Sequence, residues 1–374
     1  MKSDNRPYLF PVDHLRAFAV VLVLVYHSIQ LISQAADPAT GWQPDRWLHT
    51  DNPVLALLLE GHTGVALFLV LSGFIFTTGT LDKDVAYWPF LRNRLLRVYP
   101  LYLTVLLVGA ASTDAPFDLG TFLRALLPIA NFGPVGIGGV WGAMFWAVGV
   151  ELQFYVIFPL LLRLLQRSGP TALLRLIAAL AVLRSLAWAV SPDQVDLTEL
   201  TYFSLVGRLD QFLLGMLAGW WYLRGPRTRS AVLALVGGVV AVFGLALVAN
   251  HETVFLSTSW WRVFWVDVEG LTWAAVIVGA VVLFRSRRGR VSTALAAVGE
   301  RSYSAYLLHF VIITIVAAHE GWWVRVGGPV ATALATGVLV VLPAVLLLSW
   351  LTYAAIERPF LAMRGQYVRP RPEA

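Results

Sequence analysis

The chain has 374 residues, of which 58% are hydrophobic and only 13% charged, with a formal net charge of +6. Soluble domains carry roughly 25% charged residues, so a water-soluble fold of this length is excluded and lipid is the natural solvent. The surplus of positive charge does not point to nucleic acid, because the arginines sit in short connectors between apolar runs, and the absence of cysteine excludes disulfides, thiolate metal sites and cysteine nucleophiles.

Taken in chain order, runs of the roughly 20 apolar residues that a spanning helix needs begin close to the N-terminus. They fall at 14–34, 61–80, 99–113, 141–165, 172–190, 203–223, 230–249, 268–284, 303–319 and 329–355. This predicts an all-α, polytopic membrane bundle of about ten helices in a single domain over 1–374, with 361–374 as a short cytoplasmic tail. The stretch 121–131 is too short to span and reads as a re-entrant or interfacial segment. No small-residue cleavage site follows the first run, which reads as a retained helix rather than a signal peptide.

The basic residues give an independent test. With the N-terminus inside, the cytoplasmic segments hold Lys2, Arg6, Lys83, Arg92, Arg94, Arg97, Arg163, Arg167 and Arg175, then Arg224, Arg227 and Arg229. They continue with Arg285, Arg287, Arg288, Arg290, Arg301, Arg358, Arg364, Arg369 and Arg371, while the outer connectors hold only Arg46, Arg124, Arg262 and Arg325. That asymmetry is what positive-inside topology predicts for ten helices in a cell membrane with both termini cytoplasmic.

Ionisable groups inside a membrane are costly and mark function by default. On the first helix Arg16 and His27 are eleven residues apart, three turns plus about 20°, so they share a face with His27 roughly 16 Å deeper. Imidazole titrates near neutrality, which makes His27 the best proton acceptor in the chain; the alternative is a structural histidine bridging two helices. Glu151 and Gln153 lie mid-span in WAVGVELQFYVIFPL, and Glu151 either orients His27 or is a neutral structural hydrogen bonder. In ERSYSAYLLHF, Ser302, Tyr306 and His309 share a face, and His309 either binds a ligand or packs against a neighbour.

RNRLLRVYPLY places Arg92, Arg94 and Arg97 in a loop before Pro100, read as the start of a helix. Arginine forks suit phosphate and a helix N-terminus adds a favourable field, though the same residues serve as topology determinants or contacts to anionic lipid. Trp42, Trp47, Trp260, Trp261, Trp265, Trp322 and Trp323 gather at the outer helix ends, as an interfacial belt or an acceptor entrance. His14, His49, His62, His251 and His319 receive no role. There is no HExxH, P-loop or GxSxG, so metalloprotease, NTPase and nucleophile-elbow hydrolase readings have no support.

These segments together resemble the acyltransferase 3 family of integral membrane acyltransferases, typified by bacterial O-antigen acetylases. LRAFAVVLVLVYH carries the family's Arg and His as Arg16 and His27, and GVALFLVLSGFIF carries Gly64, Phe68, Ser72, Gly73 and Phe74. RLLRVYPLY supplies the Arg-x-x-Arg as Arg94 and Arg97, WAVGVELQFYVIFPL the glutamate as Glu151, and SYSAYLLH and IERPF supply Tyr303, His309, Glu357 and Pro359. The six matches run in order over residues 12–360; departures are Ala17 in place of a glycine and Glu151-Leu152 in place of a Glu-Glu pair. With no esterase-like segment following the last apolar run, the resemblance leads to the expectation of a stand-alone transferase.

The resemblance implies transfer of a short acyl group, often acetyl, from acyl-CoA as co-substrate, with no tightly bound cofactor or metal. The acceptor implied is a hydroxyl on a carbohydrate, a lipid-linked glycan or a glycosylated metabolite. It implies His27, Glu151 and Arg16 as catalytic, Arg94 and Arg97 as binding the CoA phosphates, and Ser72, Tyr303 and His309 as substrate-binding. The rival class is a transporter or flippase, against which stand the lack of a visible internal duplication and the clustering of polar groups toward one side.

Overall fold

The computed structural model describes residues 8–370 apart from 44–45, 113–117, 128, 132–138, 191–195 and 286–288. Lys2, Arg6, Arg287, Arg288 and Arg371 of the charge pattern therefore lie outside the described residues. The rest is almost wholly helical. In order come α1 (Phe10–Ala36), α2 (Pro53–Leu59), α3 (Thr63–Thr80), α4 (Tyr87–Ala111), α5 (Leu119–Leu126), α6 (Phe145–Ser168), α7 (Pro170–Val190) and α8 (Leu205–Leu223). They are followed by α9 (Thr228–His251), α10 (Trp265–Leu283), α11 (Arg290–Glu300), α12 (Ser302–Ala317), α13 (Pro329–Thr336), α14 (Leu342–Thr352) and α15 (Arg358–Ala362). One two-stranded antiparallel ribbon joins β1 (Lys83–Val85) to β2 (Val368–Pro370), with Asp84 opposite Arg369.

Among the described residues eight helical stretches are long and apolar enough to cross a membrane. All ten expected segments are helical, but two fall outside the eight. α8 carries Arg208 and Asp210, and α12 has only 16 residues. The protein is a multi-pass membrane protein, and its outward faces show it: Leu160, Leu233, Val240, Leu271, Leu339 and Leu347 are each more than 60% exposed. Apolar exposure on that scale is what a hydrocarbon solvent permits and water does not. Burial sorts the helices into a centre and a rim. The α3 span is 78% buried and the α7 span 17%.

Close helix contact at the centre depends on small residues. A side chain at Gly73 of α3 would meet the Phe212 carbonyl oxygen of α8, and one at Gly215 of α8 would meet that of Val70. Without a hydrophobic force between helices in lipid, such backbone approach supplies the packing. Ion pairs add directional contacts. Arg184 of α7, fully buried, donates to Asp210 of α8 at 2.5 Å and Asp267 of α10 at 2.8 Å, and its Nε donates to the Val263 carbonyl at 2.9 Å. Next to it Gln211 donates to Glu269 at 2.8 Å, with Arg208 3.8 Å from the same carboxylate.

The start of α4 and the C-terminal end differ from the sequence-based expectation. α4 begins twelve residues before the expected start at 99 and runs straight through Pro100, so the arginines expected in a loop stand on a helix. The proline sits inside the helix, and Thr104 Oγ1 donates to its carbonyl at 2.9 Å. The segment near 121–131, of which residue 128 is not described, folds back along α4: the hydroxyls of Tyr99 and Tyr102 donate to the carbonyls of Leu126 and Ala125. The run 329–362 is one long helix broken by two π-turns, Gly337–Val341 and Tyr353–Glu357. The segment expected as a short tail is docked through β2 as far as residue 370, and Asn93 exchanges hydrogen bonds with the backbone of Gly365 at 2.6 and 3.1 Å.

Removing one member of a buried charged group leaves the others unneutralised, at a cost of about 3–5 kcal/mol. Arg184→Met should therefore lower the thermal unfolding temperature of the detergent-solubilised protein sharply. Arg325→Ala, which breaks an ion pair more than 60% exposed on both sides, should leave it nearly unchanged.

Candidate functional site

A cavity of about 400 Å³ opens at the end of the bundle where the start of α1, the end of α3, the start of α12 and the C-terminal residues meet. Its wall includes Arg16, Arg94, Arg97 and Arg364, the carboxylates Asp13, Glu151 and Glu300, and the tyrosines Tyr155, Tyr303, Tyr306 and Tyr353. Ser72, Phe68, Val65 and Ala147 extend it towards the middle of the bundle.

Arg94 and Arg97 are three apart on α4 and so share a face. They differ in what holds them. Arg97 lies 3.7 Å from Glu357 and donates to the Glu300 carbonyl at 3.4 Å. Glu357 is only 1% exposed, is carried inward by the π-turn before α15, and accepts from Ser304 Oγ. Interruptions of this kind recur at functional sites because they re-aim one side chain without ending the helix. Arg94 has no hydrogen bond or ion pair among the described residues, although it is only 8% exposed. It is clasped instead by aromatic faces, with Phe76, Phe90 and Tyr367 at 5.0, 5.4 and 5.7 Å. The docked C-terminal segment adds Arg364, whose guanidinium is lowered to about 10 by burial and then by repulsion from Arg97 and Arg94. It stays charged at neutral pH. Crowded cations with one left unpaired make a ready site for an anion, and the fork geometry suits phosphate.

The other expected residues fall into two groups. Arg16 pairs with Asp13 at 3.2 Å, Tyr303 donates to the Val98 carbonyl at 2.9 Å, and Ser72 faces the cavity. Glu151 is also in the cavity, where it accepts from Tyr155 at 2.5 Å. It does not touch His27. The group beside His27 is His309, whose Nε2 is 3.0 Å from His27 Nδ1. His309 is fully buried with both ring nitrogens engaged, by the Tyr306 carbonyl and by His27. The two rings meet at 5.0 Å, and Phe310 closes edge-on to His27 at 5.3 Å. His27 itself is half-buried and lies behind the cavity wall formed by Tyr306, whose ring is 5.6 Å from that of His309.

Sequence reasoning missed Arg364, Tyr155 and Glu300. Arg364 lies beyond the last apolar run, and the segment that brings it to the cavity is docked by the Asn93–Gly365 hydrogen bonds and by the pairing of β2 with β1. Tyr155 had a usable signal, since it is four residues from Glu151 on a helix. The outer tryptophans divide: Trp260 and Trp322 are exposed, whereas Trp47 is buried and donates to Glu60 at 2.7 Å, with His62 on the same carboxylate at 3.1 Å.

The fold is a multi-pass helical membrane bundle, and its polar, arginine-rich cavity reaches towards the His27–His309 contact. The Acyltransferase domain family, acyltransferase 3, matches residues 11–354, and the chain belongs to it. The protein is an acyltransferase. It is 26% identical over 96% of its length to Acyltransferase MdmB of Streptomyces mycarofaciens, covering 92% of that protein. It is 26% identical over 80% of its length to the exopolysaccharide production protein ExoZ of Rhizobium meliloti (strain 1021), covering 90% of it. To the O-acetyltransferase OatA of Staphylococcus aureus (strain NCTC 8325 / PS 47) it is 24% identical over 85% of the chain, and there it spans 53% of the relative. No solved structure matches the chain.

Proposed function

We propose that the protein is a membrane-bound O-acyltransferase that moves a short acyl group, acetyl in the simplest case, from acyl-CoA to a hydroxyl of a carbohydrate or glycosylated molecule. The observation that carries the donor is the buried, unpaired Arg94 within a cluster of cavity arginines. A CoA thioester brings phosphates for those cations and a narrow thiol arm for the depth of the cavity. The names of the relatives, one an exopolysaccharide production protein and one an O-acetyltransferase, support an O-linked carbohydrate acceptor.

In this reading the chain is one domain crossing the cell membrane about ten times, with both termini cytoplasmic. The arginine-rich mouth then faces the cytoplasmic acyl-CoA pool, and the residues after α15 are part of that mouth. His27 is the general base. It takes the proton of the acceptor hydroxyl while the oxygen bonds to the thioester carbonyl carbon. The tetrahedral intermediate then expels the CoA thiolate, which recovers the proton from His27 as the free thiol. A hydroxyl is a poor nucleophile at neutral pH, so a positioned base contributes about 10²–10⁴-fold. Arg97 and Arg16 bind beside Arg94, Ser72 and Tyr303 contact the bound acyl arm, and Glu151 with Tyr155 sets the polarity of the cavity floor.

His27→Ala should lower transfer from radiolabelled acetyl-CoA to membrane glycans by at least about 10²-fold. Undiminished transfer would remove the base assignment. Arg94→Met should raise the KM for acetyl-CoA about ten-fold or more, in keeping with about 1.5–3 kcal/mol for a hydrogen bond to a charged group, and leave kcat within a few-fold. An unchanged KM would take the donor phosphates away from this cation.

A further inference from the structure

The contact between His27 and His309 fixes more than packing. His309 Nδ1 lies 2.6 Å from the Tyr306 carbonyl oxygen. A carbonyl can only accept, so that nitrogen bears the proton, and in a neutral imidazole the other nitrogen is then a bare lone pair. This lone pair, on Nε2, meets His27 Nδ1 at 3.0 Å. The second neighbour of His27 Nδ1 is the Val23 carbonyl at 3.1 Å, again an acceptor only. His27 Nδ1 is therefore the protonated nitrogen, and Nε2 carries the free lone pair. Val23 lies four residues back on α1, so its carbonyl is already engaged by the backbone N–H of His27. His309 is the uncommitted acceptor.

We propose that His309 is a positioning residue for acyl transfer: it holds the Nδ1–H of His27, aims the Nε2 lone pair at the acceptor hydroxyl, and stabilises the imidazolium formed when that proton arrives. The inference rests on His27 being the base. The acceptor O–H bond breaks, its proton joins His27 Nε2, and the oxygen's electron pair forms the C–O bond to the acyl carbon. As positive charge develops on the ring, the Nδ1–H···Nε2 bond to His309 becomes charge-assisted and stronger. A partner that strengthens only as charge develops favours the transition state over the ground state. His309 does not touch substrate, since it is fully buried and both its nitrogens are occupied. It acts through His27, as the hydrogen bond at one imidazole nitrogen sets the state of the other.

The test is a three-variant comparison on the full-length protein in nanodiscs, with radiolabelled acetyl-CoA and a glycan-rich membrane extract as acceptor. His309→Leu should lower the maximal rate about 10²-fold, the lower end for a positioned base, with the KM for acetyl-CoA unchanged. His309→Gln, whose amide oxygen can accept from His27 Nδ1, should recover at least about ten-fold of that loss. Should the leucine variant not accumulate, His309→Met makes the same comparison. A leucine variant as active as the parent, with His27→Ala inactive, overturns the positioning role and leaves the base. So does equal loss in the leucine and glutamine variants at equal thermal stability, which marks a purely structural histidine. Full activity of His27→Ala overturns the base assignment, and the positioning role with it.

Discussion

A charge surrounded by hydrocarbon needs a partner, and this constraint shapes the whole interior. The bundle buries several guanidinium groups, any of which would cost several kcal/mol if left alone. Arg184 is met by two aspartates from two other helices, Arg208 by Glu269 and Gln211, and Arg97 by Glu357. The ion pairs cross between helices, so the same contacts that neutralise charge also define which helices are neighbours. Small residues such as Gly73 and Gly215 then let the backbones approach closely enough for those side chains to meet.

Arg94 departs from the pattern. Aromatic faces hold its guanidinium in place without neutralising it, and a cavity lies in front of it. An arrangement that forgoes a counter-ion at a buried cation is unfavourable by itself and becomes favourable when an anionic ligand supplies one. Arg97, three residues on along the same helix face, has Glu357 3.7 Å away as a counter-ion. The site thus separates two tasks. One end gathers positive charge at the mouth, and deeper in the bundle the His27 and His309 imidazoles meet at 3.0 Å.

Much of the site is legible in the order of the amino acids. His27, Arg94, Arg97 and Glu151 are ionisable groups in apolar surroundings, and the expense of placing them there is visible from the residues on either side. Their mutual arrangement is not. Of the two readings of Glu151, a partner for His27 or a structural hydrogen bonder, the contact seen is the local one, with a tyrosine one turn away. His309 occupies that place because α12 packs against α1, a contact between residues 282 positions apart. Arg364 is hidden for a similar reason: it follows the last apolar run, and long-range docking of the C-terminal segment onto Asn93 and β1 places it at the cavity.

By itself the sequence determined that the chain lives in a membrane, where its helices run and which residues are too polar to be there without purpose. These are properties of short windows: hydrophobic length, helical periodicity and the cost of isolated charge act over one or two turns and do not depend on the rest of the fold. Only the tertiary structure decided that Arg94 lies buried without a counter-ion among the described residues, which group meets His27, and that α4 continues through Pro100. Those outcomes depend on long-range packing, where each polar group takes the partner that the neighbouring helices bring within hydrogen-bond reach. No window of the sequence contains both halves of such a pair.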